Sequence, residues 1–324
     1  MVERLVANEK VEGSTPFARS NFVIKSNFIT SYFQRLLKDN DIRTFKNSFF
    51  YYIFFRLFRN FLNNQIIIKI FNFKVLGSVN RNNTSYFLLK KCEFGDDNEL
   101  NFIKQINKSK KILFLDCGCN YGFYSLYVAS LSTKNKVVSI EASKKTLNYF
   151  KKNIKLNKLT NIVFYNKAVS NKDNVNVIFN ESDKDWESSV ARNDLVNKKK
   201  INIKTIKIDK ILSKYDLNKF YPIIKLDIEG DELNALKGCL NSIKKKSPII
   251  IIEFSKYTLD SKEKIDFLVF FLKKYNYSIY DTNYKKFTVK EIIRKMSKLN
   301  KRFMTIGNFY LLKNSSKIFK PYFK

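Results

Sequence analysis

The chain has 324 residues, 44% hydrophobic and 28% charged, a globular mixture long enough to bury a sizeable core. Its four cysteines, Cys92, Cys117, Cys119 and Cys239, form no C-x-x-C pair and histidine is absent, so neither a disulfide framework nor a zinc site is expected. The net charge of +32 favours nucleic acid or an anionic membrane over an acidic partner, but Lys, Asn, Ile and Phe dominate the chain, and an A+T-rich genome raises lysine without selection for binding.

Residues 1–20 differ in composition from the rest and read like a translated transfer-RNA gene, with Gly13-Ser-Thr-Pro16 in the place of a T-arm. The expectation is that the true start lies near residue 21. The segment lacks the continuous apolar core of a signal peptide. Residues 47–62 are the most aromatic stretch, and Arg56, Arg59, Asn60 and Asn63 would place one polar stripe on a helix with a wide apolar face. Such a helix caps the main domain or mediates a homodimer; the competing reading lays it in a membrane interface. It is too short between charges to span a bilayer. Ile66–Val75 and Ser85–Leu89 flank the turn-rich stretch 77–84, which reads as an antiparallel hairpin.

The apolar run Lys111–Leu115 reads as a buried strand, followed by a glycine turn and a helix over Phe123–Leu131. Val137–Ile140 is a second strand, ending in Glu141. Beyond it the pattern predicts helix 144–156, strand 162–167, strands near 174–179 and 201–206, and strand 222–228. Helix 231–243, strand 248–254, helix 261–274 and strands 276–281 and 304–312 complete an α/β, doubly wound arrangement. From Lys285 to Lys324 the only acid is Glu291.

Strand, glycine turn and helix suit an adenosine-bearing ligand, because Gly118 and Gly122 allow backbone angles and close approaches that a side chain blocks. Glu141, at the end of the next strand, can accept hydrogen bonds from both ribose hydroxyls. The spacing departs from G-x-G-x-x-G, since Asn120 and Phe123 stand at the later glycine positions, and a nicotinamide cofactor loses ground.

The pattern Asp116-x-Gly118-x-Asn120-x-Gly122 followed by Glu141 resembles the S-adenosylmethionine site of the FkbM family of methyltransferases. Cys119 replaces the family's alanine and Ala142 its proline. The resemblance continues in order through Asn153-x-x-x-Asn157, Lys167-Ala168-Val169-Ser170, Ser188-Ser189 and Thr205-x-x-x-Asp209. It ends with Lys225-x-Asp227-x-Glu229-Gly230, Leu236-Lys-Gly238 and Pro248–Glu253. It implies a class I, Rossmann-like, mostly parallel seven-stranded sheet ending in an antiparallel strand, with an N-terminal helix and β-hairpin extension. The expected divisions are a tRNA-like segment (1–20), the extension (21–100), the methyltransferase domain (101–313) and a basic tail (314–324). S-adenosylmethionine would be held by Asp116, Gly118, Asn120, Gly122, Glu141 and Ala168.

Within strand 222–228, alternate residues share a face, so Lys225 and Asp227 point together while Ile224, Leu226 and Ile228 pack on the other side. Buried charges must pair or serve a ligand, and a structural pair of Lys225 with Asp227 or Glu253 is the competing reading. Methylating a hydroxyl needs a base. Without histidine the candidates are Asp227, Glu229 and Glu253, with Lys225 able to serve only at a depressed pKa. The base acts directly or through a bound divalent cation; no metal ligands are assigned. Trp186 either stacks on a sugar or packs internally.

The resemblance implies O-methylation of a sugar, lipid-linked glycan or other small-molecule acceptor, in the cytoplasm or peripherally at the inner membrane face, with no specific nucleic acid. Two rivals stand: an RNA methyltransferase, suggested by charge but lacking N-P-P-Y, and a non-catalytic protein that keeps the fold.

Overall fold

The computed structural model describes residues 30–58, 66–80, 84–184, 187–192, 198–299 and 305–315. The readings made for residues 1–20, for Arg59, Asn60 and Asn63, for Trp186 and for the end of the basic tail lie outside them.

Residues 30–39 are helical (α1), followed by a 3-10 turn at Ile42–Phe45 and the aromatic helix α2 (Phe49–Phe58). Strands β1 (Ile66–Ile70) and β2 (Phe73–Gly77) precede helices α3 (Thr84–Lys91) and α4 (Asp97–Asn107). Then β3 (Ile112–Cys117), α5 (Phe123–Leu131), β4 (Lys136–Ile140), α6 (Lys144–Leu156) and β5 (Ile162–Tyr165) alternate, as the apolar periodicity requires. A small sheet follows, built from β6 (Ala168–Val169), β7 (Asn176–Glu181) and β8 (Lys199–Ile206) in the order β6-β8-β7. Helix α7 (Ile208–Leu212), β9 (Tyr221–Leu226), α8 (Glu232–Lys237), α9 (Leu240–Lys246), β10 (Ile249–Ser255) and α10 (Lys262–Tyr275) return the chain to the main sheet. It closes with β11 (Tyr277–Asp281), β12 (Lys286–Phe287), α11 (Val289–Ser297) and β13 (Thr305–Lys313).

The main sheet has the order β12-β11-β13-β10-β9-β3-β4-β5. Strands β5, β4, β3, β9 and β10 run parallel, and β13 pairs antiparallel with both β10 and β11. This is the doubly wound, mostly parallel topology that the resemblance implies. The sheet has eight strands where seven were expected, the two-residue β12 standing at the edge by hairpin pairing to β11. The order of connections reverses at β3, so a crevice opens at the carboxyl ends of β3 and β9.

Two other expectations need correction. The hairpin does not reach Ser85: it folds inside the run 66–77, turning at Phe71-Asn72, with burial alternating along both strands. The run 66–77 makes two five-residue strands about a turn at Phe71-Asn72 more compactly than one long strand. Ser85, Tyr86, Leu88 and Leu89 are buried at a helical spacing, and α3 forms instead of a strand. The predicted helix 231–243 is broken at Gly238 and Cys239. A Cβ on Gly238 would lie 2.4 Å from the Ser170 carbonyl, so the backbone is pressed against that turn. The Asp209 carboxylate then accepts the N–H groups of Asn241 (3.1 Å) and Ser242 (2.8 Å), starting α9 afresh.

One layer of core joins α1, α2, the hairpin and α3–α6 to one face of the sheet; the other layer packs α7–α11 on the opposite face. In α2, Tyr51 and Phe55 are buried and the Tyr51 hydroxyl donates to the Leu89 carbonyl, while Phe49, Phe50, Tyr52 and Leu57 are exposed. The helix thus caps the domain with one side only. No helix among the described residues is long and apolar enough to cross a membrane.

The asparagine pair on α6 fixes the hairpin. Asn153 Oδ1 accepts Leu76 N–H and Asn157 Oδ1 accepts Lys74 N–H, both at 2.7 Å; Asn157 Nδ2 donates to the Lys74 carbonyl at 2.6 Å. Four helical residues advance about 6 Å and two strand residues about 6.8 Å, so two amides four apart act as a surrogate neighbouring strand. Asn153 is fully buried and also donates to the Tyr121 carbonyl. Replacing it with alanine orphans two backbone groups, each costing about 1–3 kcal/mol. Urea unfolding of Asn153→Ala is expected to show a loss of about 2–4 kcal/mol, with a smaller loss for the more exposed Asn157→Ala.

Candidate active site

The turn after β3 is held open by backbone geometry. Gly118 and Gly122 take φ of +81° and +83°, and Asn120 takes +50°, a region that asparagine tolerates better than most residues. A Cβ on Gly118 would stand 1.8 Å from the Asp227 carbonyl oxygen, and one on Gly122 would enter the Phe150 ring. The close approaches demanded of the two glycines are therefore to the protein itself. Gly118 lines the cavity; Gly122 does not, and it starts α5 instead.

That cavity has a volume of about 390 Å³ and lies at the carboxyl ends of the parallel strands. At one end Ile140, Ala142, Ala168, Val169 and Phe179 give an apolar slot. Glu141 stands beside it, 9% exposed, with Oε2 accepting Asn120 N–H (2.9 Å) and Oε1 accepting Ser143 N–H (2.8 Å). Each oxygen keeps a second lone pair for a ribose hydroxyl. Burial pushes the Glu141 carboxyl up to about 7, against the pull of the backbone donors. An apolar slot for a purine beside a two-oxygen acceptor fits the adenosine of S-adenosylmethionine. Asn120 Nδ2 donates to Thr84 Oγ1 at 3.3 Å, tying the turn to α3.

The other end is charged. Asp116 and Lys225 are neighbours across the β3–β9 ladder, and Lys225 Nζ meets Asp227 Oδ2 at 2.5 Å and lies 4.6 Å from the centre of the Tyr124 ring. Burial opposes the Lys225 charge, but Asp227, Asp116 and Asp96 outweigh it and raise its pKa. Lys225 is thus a fixed cation, and its candidacy as a base falls because its pKa moves the wrong way. Asp116 is 1% exposed and accepts Ser125 Oγ at 2.6 Å, and burial raises its pKa. As expected, Ile224 and Leu226 pack on the opposite face.

After β9 the chain turns sharply at Glu229, φ +57°, and Gly230, φ +115°. Glu229 is partly buried, with Arg192 Nη1 3.6 Å from its Oε2. Ser189 Oγ donates to the Glu229 carbonyl at 2.7 Å. Burial, then Glu253 and Asp227, push the Glu229 carboxyl well above the usual range; burial, then Asp227 and Glu232, push Glu253 up to about 8. Oxygens of Asp227, Glu229 and Glu253 lie within 4.8 Å of one another, close enough to hold a divalent cation.

The fold therefore gathers Asp116, Gly118, Asn120, Glu141, Ala168, Lys225, Asp227, Glu229 and Glu253 around one cavity. Sequence reasoning missed four contributors. Glu232 is fully buried and its Oε1 accepts the N–H groups of Ile228 and Gly230, so it shapes the strand-end turn. Arg192 balances Glu229, and Asp96 and Tyr124 line the charged end. Only Glu232 had a signal, as an acid at a helix start after the motif. All four cysteines are buried and free, which agrees with packing roles for Cys117 and Cys119.

The sequence model of the methyltransferase FkbM domain matches residues 116–279. No curated protein matches the chain. Among solved structures, the methyltransferase FkbM from Methylobacillus flagellatus KT aligns at 18% identity and a TM-score of 0.38, over 70% of this chain and 52% of that one. The chain thus spans about half the length of that protein. M. jannaschii TYW2 in complex with AdoMet aligns at 14% identity and 0.38, over 77% of this chain and 84% of that one. SMU.1697c, a putative methyltransferase from Streptococcus mutans in complex with SAH, aligns at 9% and 0.38, over 68% and 98%.

If Glu141 holds the ribose as a carboxylate, S-adenosylmethionine affinity must fall as pH drops through about 7, because protonation removes an acceptor. Calorimetric titration is expected to give binding about tenfold weaker at pH 6 than at pH 8. The Glu141→Gln protein should bind weakly at both values.

Proposed function

Because the chain belongs to the FkbM family of S-adenosylmethionine-dependent methyltransferases, we propose that it methylates a hydroxyl oxygen of a sugar, glycan or other secondary metabolite. The observation that carries this reading is the group of carboxylates at the ends of β9 and β10, two of them raised in pKa, in a chain without histidine. A raised carboxylate is a stronger base, which a hydroxyl acceptor needs and a preformed nucleophile does not.

S-adenosylmethionine, when bound, supplies an electrophilic methyl group on a sulfonium. The chain's part is to orient the acceptor and take its proton. Asp227 is held by the Lys225 ammonium and is the orienting group, able to accept a hydrogen bond on its second oxygen. Glu229 is the base: it receives the hydroxyl proton as the oxygen–methyl bond forms and the carbon–sulfur bond breaks. Arg192 stabilises the ionised form of Glu229 before transfer. Glu253 enters by repulsion, keeping its neighbour basic.

An RNA acceptor is favoured by the net charge of +32. The cavity speaks against it, because seven carboxylates line it against Lys167 and Lys225, and a phosphate backbone entering it would be repelled.

Methyl transfer, followed as S-adenosylhomocysteine formation, should lose about 10²- to 10⁴-fold in kcat in Glu229→Gln, with S-adenosylmethionine affinity unchanged. In the parent protein kcat should rise with pH above the usual carboxylate range, since the base works only when deprotonated and burial with the neighbouring carboxylates raises its pKa. A Glu229→Gln variant with full activity would remove this residue from the reaction.

A further inference from the structure

The paired serines Ser188 and Ser189 serve different ends. Ser188 lines the cavity, and its Oγ accepts the Ser182 N–H at 2.9 Å. Ser189 is 1% exposed and lies behind the cavity wall, between Ser188 and Val190, which both line it. Its backbone is tied to β7: its N–H donates to the Asn180 carbonyl at 3.0 Å, and its carbonyl accepts the Asn180 N–H at 2.8 Å. The residue is thus anchored to the small sheet before its side chain makes any contact.

A serine hydroxyl has one proton and two lone pairs, and here all three are used. The N–H groups of Ala191 (2.9 Å) and Arg192 (3.3 Å) donate to Ser189 Oγ, so its proton goes to the Glu229 carbonyl at 2.7 Å. From the other side, Glu232 Oε1 accepts the Gly230 N–H at 2.9 Å. The Glu229 carbonyl and the Gly230 N–H are the two ends of one planar peptide group, so Ser189 and Glu232 grip that plane at both ends. Glu229 needs such holding, because its φ of +57° is disfavoured for a residue with a Cβ. Packing is equally close, since a Cβ on Gly230 would lie 2.5 Å from Tyr257 Cβ and 3.2 Å from Ala191 Cβ.

The same hydroxyl shapes the turn that delivers Arg192. Asn180 Nδ2 donates to the Arg192 carbonyl at 2.9 Å, and the guanidinium lies 4.8 Å from the centre of the Tyr257 ring and 3.6 Å from Glu229 Oε2. The backbone of Glu229 and the cation beside its carboxylate therefore both depend on one buried hydroxyl. We propose that Ser189 is a positioning residue for methyl transfer, which holds the Glu229 carboxylate in its working orientation and brings Arg192 to it. The inference rests on the reading of Glu229 as the base.

The test compares the full-length parent with Ser189→Ala, Glu229→Gln and the variant carrying both changes. Calorimetry with S-adenosylhomocysteine checks that each site is folded, and its affinity should be unchanged throughout. Ser189→Cys, similar in shape but a weak donor, replaces the alanine variant if that protein does not fold. Turnover is followed as S-adenosylhomocysteine formation, with the methyl glycosides of glucose, rhamnose and mannose as hydroxyl probes. Ser189→Ala should lose about 10- to 100-fold in kcat, with KM for S-adenosylmethionine unchanged. In the Glu229→Gln background the same change should cost nothing further, because a residue acting through Glu229 has nothing left to position. A crystal structure of Ser189→Ala with S-adenosylhomocysteine should show Glu229 out of the left-handed region and its carboxylate parted from Arg192. Undiminished kcat, an equal loss in the Glu229→Gln background, or an unmoved Glu229 overturns the proposal. Full activity in Glu229→Gln alone instead brings down the base assignment. A parent that turns over none of the probes brings down the sugar reading, and the crystal structure then decides the positioning by itself.

Discussion

The buried ammonium of Lys225 is the constraint around which the site is built. An isolated charge in the middle of a sheet would be prohibitively costly, so the fold must bring anions to it. They come from separate pieces of chain: Asp116 from the neighbouring strand, Asp227 from two residues along its own strand, and Asp96 from the segment before α4. The face of Tyr124 covers it from α5. Satisfying one cation thereby sets the register of β3 against β9 and the approach of the N-terminal extension. The result is a fixed positive centre at the floor of a cleft whose rim is acidic.

That arrangement explains how carboxylates so near one another can coexist. Burial raises the carboxyls of Asp116 and Asp96 even beside Lys225, which offsets it only in part; Glu229 and Glu253, further out on the strand ends, rise as well, with neighbouring carboxylates adding to burial. The strand-end turn is held by a different acid, Glu232, which spends its oxygens on backbone N–H groups and on the Thr258 hydroxyl. A carboxylate spent on the backbone and carboxylates facing the cavity thus sit within a few residues of each other and are distinguished by what donates to them. The N-terminal extension belongs to the same device, since Thr84, Phe94 and Asp96 line the cavity and α2 and α3 share a core with the sheet.

Much of this was legible in the chain. The apolar run ending at Asp116, the glycine turn and Glu141 were placed correctly beside the cavity because strand, turn and helix are set by local periodicity and by backbone angles. Alternation along β9 places Lys225 and Asp227 together for the same reason. The hairpin was misread because a mainly apolar run does not announce where it turns, and α3 was misread because a short, mainly apolar stretch suits strand or helix alike. Helix 231–243 looked continuous since its break comes from contact with residue 170 and from Asp209.

The sequence by itself determined the doubly wound order of elements, the family, S-adenosylmethionine as cofactor and most of the residues around the cavity, because each depends on spacing within a few residues. Only the tertiary structure decided which acids face one another. Asp96, Asp227 and Glu253 lie on three different segments, and their distances and burial exist only once the sheet has closed. It also reassigned both loop glycines to contacts with the protein and Lys225 to a fixed charge. Such properties are long-range: the free energy of a buried charge depends on the whole surrounding volume, and a linear pattern does not encode that volume locally.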